Sequence, residues 1–145
     1  SDLNCNQVYL YLYSLTSQFE RIIASLIYKN GITDSMIQPI LEGRESSENA
    51  KKAIENFEKA KLKGFDSNLL EELFLSDLSC VFKKFELDKK CGIERKYWDK
   101  TISGLIYKVR NPVAHPCKRL IKNEKSVKDL HQIISSMNVI LEKLK

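Results

Sequence analysis

The chain has 145 residues, 43% hydrophobic and 30% charged, with a formal net charge of +5, which is the balance of an ordinary soluble globular domain long enough to bury a sizeable core. Five glycines and three prolines leave little room for a turn-rich all-β fold, no apolar run approaches the ~18 residues of a membrane span, and no signal peptide opens the chain. The four cysteines, Cys5, Cys80, Cys91 and Cys117, form no CxxC pair and lie at no zinc-ligand spacing, so they read as reduced thiols of an intracellular protein, cytoplasmic or nuclear.

In chain order, the pattern predicts helices throughout. Val8, Leu12, Leu15, Phe19, Ile22, Ile23 and Leu26 recur at three- and four-residue spacing, one face of a long first helix. The opening VYLYLY alternates like a strand, but the helical period continues well beyond it. Gly31 breaks the chain, and a short segment from Met36 to Leu41 follows, limited by Pro39. SSENAKKAIENFEKAKL reads as a polar helix on the outside, with Ser46 as its N-cap and Lys63-Gly64 closing it. Asp66 or Ser67 then caps a helix whose Leu70, Leu73, Phe74, Leu78, Val81, Phe82 and Phe85 form one broad buried face.

After Gly92, Trp98, Ile102, Leu105, Ile106 and Val109 make a further apolar face. Asn123 caps the last helix, where Val127, Leu130, Ile134, Met137, Leu141 and Leu144 repeat almost in heptads and His131 lies at the core edge. Four long helices with one or two short or polar extra helices imply an all-α antiparallel bundle over residues 1–145. The first residue is Ser1, which suits a processed protein or a domain of a longer one.

Charge is unevenly placed. From Lys83 to Lys128 there are 14 Lys or Arg against five Asp or Glu, a local balance of +9, while the remainder carries −4. Charge runs are commonly solvated helix faces; this one is also the footprint expected of a polyanion-binding surface. Its centre is RNPVAHP, residues 110–116, with Lys108 before it and Lys118, Arg119 and Lys122 after it. Arg110 lies at the edge of the apolar face, where Asp99 and Ser103 also fall. Pro112 disfavours α geometry at Asn111, so the helix is expected to end or kink there, and a turn can then carry His115 back toward Arg110. On local chemistry alone, the segment reads equally as a helix stop with a capping histidine. No Gly-rich phosphate loop, Ser-His-Asp order, carboxylate cluster or metal-ligand set occurs, so no cofactor and no metal is expected.

Arg110, Asn111 and His115 match the R-N-x-x-x-H pattern of the HEPN superfamily, and the chain resembles these small helical-bundle domains in its all-helical layout and in the motif's place after the penultimate long helix. The RNPVAHP form, followed by an amphipathic helix, is similar to HEPN tails of larger RNA-processing proteins, among them the PIN-domain endonuclease of nuclear messenger-RNA surveillance. The resemblance implies a metal-independent endoribonuclease acting on single-stranded RNA, with Arg110, Asn111 and His115 as catalytic residues. It also implies a homodimer, because one motif supplies one histidine where both an acid and a base are needed. Lys108, Lys118, Arg119 and Lys122 would hold the RNA backbone, and Tyr107 would stack on a base, fill the dimer contact or stand as plain surface. The alternative is a non-catalytic HEPN-fold module for dimerisation or RNA binding, serving a nuclease domain elsewhere in the full-length chain.

Overall fold

The computed structural model describes residues 6–111, 122 and 124–145. Among them there are helices and no strand, so the protein is all-α. The elements are α1 (Asn6–Lys29), α2 (Asp34–Glu42), α3 (Glu48–Leu62), a 3₁₀ turn (Leu69–Glu72), α4 (Leu75–Lys84), α5 (Leu87–Lys90), α6 (Arg95–Gly104), which continues as a π-helical segment (Leu105–Arg110), and α7 (Glu124–Leu144). They fall into two compact units. One joins the described residues up to Phe19 with those from Asp88 onward, and the other is Glu20–Leu87. No described helix is long and apolar enough to cross a membrane.

In the unit Glu20–Leu87, α2 packs on α3, on α4 and on the 3₁₀ turn. Gly31, with φ of +78°, ends α1 in the left-handed region that glycine adopts without strain. Tyr28 then ties three segments together: its hydroxyl donates to Asp34 Oδ1 at 2.6 Å and accepts from the Leu70 backbone N–H at 3.2 Å. Burial and the Asp34 hydrogen bond push the phenol's pKa above its ordinary value. Pro39 lies inside α2 and does not bound it, and Met36 is exposed while Ile37 and Leu41 are buried.

Helix α3 corrects two expectations. Its N-cap is Ser47, whose hydroxyl accepts from the Ala50 N–H at 3.1 Å, and not Ser46. Ser47 is selected because the same hydroxyl also donates to Asp77, a buried carboxylate that Arg44 Nε reaches at 2.6 Å. A buried carboxylate requires such partners, and this one fastens the α2–α3 loop to α4. Nor does α3 lie wholly outside: Ala50, Ala53 and Phe57 are buried at three- and four-residue spacing. Its C-terminus ends as the sequence indicates, with Gly64 at φ of +74°, Gly64 N–H to Lys61 O and Phe65 N–H to Ala60 O, a Schellman motif.

The long helix expected after Ser67 is interrupted. The 3₁₀ turn begins after Asn68, with neither Asp66 nor Ser67 as its cap, and Leu73 and Phe74 are extended before α4 starts. The extended pair is held by Asn49 of α3, which accepts from the Phe74 N–H at 2.9 Å and donates to the Glu72 carbonyl at 3.2 Å. The break turns Leu69, Leu70, Leu73 and Leu75 inward and leaves Phe74 48% exposed.

In the other unit, α1 presents Leu12, Thr16 and Phe19 as its buried residues. Thr16 is tolerated there because its hydroxyl donates back to the Leu12 carbonyl at 2.8 Å. Phe19 packs on Trp98 of α6 with ring centroids 6.3 Å apart. Asp88, fully buried, receives two guanidinium hydrogen bonds from Arg95 at 2.9 Å, and these hold its carboxyl below the ordinary carboxylate range. On α7 the buried residues are Met137, Ile140 and Leu144. Val127 is exposed, and Leu130, Ile134 and Leu141 are only half-buried, so the heptad reading misses Ile140 and overstates the first turns. His131 is exposed and not at a core edge.

Candidate nucleic-acid interface

Helix α6 carries its apolar face in a 4-3-4 spacing: Trp98, Ile102, Leu105 and Val109 are each at most 4% exposed. That spacing fixes which side of the helix meets the core, and therefore which residues face outward at its far end. Ile106 and Arg110 lie half-buried on the margins, and Tyr107 is 71% exposed.

Three contacts set the register of α6 against α7. Lys143 Nζ donates to the Gly92 carbonyl just before α6, a Cβ built on Gly104 would stand 3.1 Å from Ile133 Cγ1, and Lys108 Nζ meets Asp129 Oδ2 at 3.0 Å. As the α6-side number rises the α7-side number falls in step, so these two helices are antiparallel. Gly104 is the point of close approach, which explains a glycine within a continuous helical run. The same register continued brings Arg110 and Asn111 level with the first turn of α7.

The last turns before the motif are widened. From Leu105 to Arg110 the helix is π-helical, and the Asn111 N–H donates to Ile106 O, five residues back. Asn111 has φ −66° and ψ −46°, so it stays in the right-handed helical region, contrary to the expectation that the following proline would expel it. The pre-proline bias is a preference that a hydrogen-bonded turn outweighs: the wide ladder keeps a partner for the Asn111 N–H. π turns inside α-helices recur at functional sites, where one added residue per turn re-aims the side chains that follow. Here those side chains are Arg110 and Asn111, both half-buried at the helix end.

His115, Lys118 and Arg119 lie outside the described residues, as does the expected cap Asn123. Lys122 is exposed just before α7. Asp99 and Ser103, expected along the Arg110 edge, are both exposed. Lys108 does project to the surface, but in company with Asp129, a carboxylate that sequence spacing does not connect to it. Neither the π turn nor the Gly104 approach has a signature in the sequence beyond the glycine itself.

Other features of the described residues do not favour an anionic ligand. A groove of about 570 Å³ in the other unit is lined by Glu48, Asn49, Lys52, Asn56, Glu71, Glu72 and Phe74, and its three carboxylates oppose a phosphodiester. Cys80 and Cys91 are unpaired, and burial pushes the Cys91 thiol up, away from the thiolate form that reacts. Among the described residues no group of three or more His, Cys, Asp or Glu is placed to hold a metal ion.

No protein-family model matches the chain, and no curated protein or solved structure does. The likeness to HEPN domains therefore rests on Arg110, Asn111 and His115, on the all-helical architecture and on the position of the motif.

Proposed function

We propose that the chain is a HEPN-type endoribonuclease domain that cleaves single-stranded RNA without a metal, in a cleft shared by two copies of itself. The observation that supports this reading is the π-helical end of α6, which delivers Arg110 and Asn111 side by side, half-buried, immediately before the segment that carries His115. This end of α6 belongs to the unit that contains most of the described residues of the basic half of the sequence.

The chemistry follows from residue type. Cleavage by the neighbouring 2′-OH requires a base for that hydroxyl, charge stabilisation for the phosphorane and an acid for the 5′-oxygen that leaves. Histidine titrates near neutrality and serves either proton task, and two copies supply one of each. The guanidinium of Arg110 presents a planar fork to two phosphate oxygens. Asn111 has both a donor and an acceptor, suited to fixing a histidine tautomer or a phosphate oxygen.

Product chemistry tests the proposal. Single-stranded RNA incubated with the protein in EDTA should yield fragments ending in 2′,3′-cyclic phosphate and 5′-hydroxyl, and a strand with 2′-deoxy or 2′-O-methyl sugars should be resistant. Fragments with 5′-phosphates, or cleavage that EDTA stops, would refute it. Salt-dependent binding without any cleavage would instead favour the non-catalytic RNA-binding module.

A further inference from the structure

The ion pair between Lys108 and Asp129 occupies a cation that the resemblance to HEPN domains assigns to the RNA backbone. Lys108 lies one turn beyond Gly104, on the side of α6 that abuts α7, and Asp129 lies one turn before Ile133 on the facing side of α7. The close approach at Gly104 therefore sets the separation that lets the two side chains meet at 3.0 Å. The pair is open to water, with Lys108 52% and Asp129 28% exposed. A pair at that exposure is held by little, so a second anion can exchange for the carboxylate. Asp129 sits close to the start of a helix whose neighbouring charges are Lys122, Lys125 and Lys128 with Glu124 among them, so the carboxylate acts on RNA through the lysine that it occupies.

We infer that Asp129 is an internal competitor for RNA: its carboxylate takes the place of a backbone phosphate on Lys108 until a strand displaces it, and so weakens RNA binding at the end of α6. The inference rests on the proposed RNA reading and adds to it a residue that tunes affinity without touching the reaction. A gate of this kind favours strands that engage several cations at once, because a single phosphate contact has to displace the carboxylate before it gains anything.

The experiment uses a 2′-O-methylated single-stranded oligoribonucleotide, which binds without offering its own nucleophile, and four proteins: the parent, Asp129→Asn, Lys108→Met and the double variant. Affinity is measured between ~50 and ~200 mM salt. Asp129→Asn should tighten binding about two- to five-fold, the scale of an exposed ion pair. The log–log salt slope should change little, because Lys108 meets the same phosphate in both proteins once the carboxylate is displaced. In the Lys108→Met background the same substitution should do almost nothing. Equal tightening in both backgrounds would show a general charge effect and overturn the inference, as would no tightening in either. If the parent binds with a salt slope yet Asp129→Asn is silent, the gate falls and the RNA reading stands. If none of the four proteins binds, both fall.

Discussion

Ser47 carries two duties with one hydroxyl, capping α3 and hydrogen-bonding the buried Asp77. Ser47→Ala should therefore cost about 1–2 kcal/mol, the loss of a cap with a buried acceptor left short. Ser46→Ala, at an exposed position, should stay within about 0.5 kcal/mol. Chemical denaturation of the two variants decides which serine is the cap. Sequence alone does not separate them, since either serine satisfies the N-cap preference and Asp77 lies 30 residues away. Two titrations act at the same scale. Arg95 holds Asp88 below the ordinary carboxylate range, so the unfolded chain takes up that proton first, and stability should fall as pH drops below about 4. Tyr28 is shifted upward, so the unfolded chain releases its proton first, and stability should fall as pH rises above about 10. Asp88→Asn should flatten the acid limb of a thermal-stability profile and Tyr28→Phe the alkaline one.

Helix existence was legible from periodicity, because a buried stripe at 3.6-residue spacing is what the core demands: α1, α3, α6 and α7 all fall where the pattern puts them. Interruptions were not. The run from Leu69 to Phe85 has apolar residues enough for one helix, yet Asn49 of α3 holds Phe74 and the Glu72 carbonyl out of helical geometry, and that interaction comes from a distant part of the chain. The π-helical end of α6 is equally silent in sequence. Gly104 gives a sharp test of helix packing. Alanine has the better helix propensity by about 1 kcal/mol, but its Cβ would meet Ile133 at 3.1 Å. Gly104→Ala should thus be neutral or destabilising in the parent and stabilising by up to about 1 kcal/mol in an Ile133→Ala background. A stabilising effect of similar size in both backgrounds would mean that α7 does not press on Gly104.

Across the whole molecule, the charge imbalance is the broadest feature on which the proposed function draws. The stretch 83–128 carries +9 against −4 elsewhere, and its described residues from Asp88 on fall in one compact unit. On the proposed reading, affinity for RNA should drop steeply between ~50 and ~200 mM salt, and charge reversal at Lys118 and Lys122 should weaken binding for all sequences alike, because phosphate contacts release counterions without reading bases. The proposed cleavage needs two proton-transfer groups and each copy brings one motif histidine, so light scattering at tens of micromolar protein should report a homodimer. The most direct measurement is the rate at which single-stranded RNA is cut in EDTA by the parent protein and by His115→Ala and Arg110→Ala, each checked for an unchanged melting temperature. Measurable cleavage by the parent and a loss of ~10²-fold or more in each variant are expected. Cleavage that survives His115→Ala unchanged, or a parent that does not cut RNA at all, would contradict the proposed function.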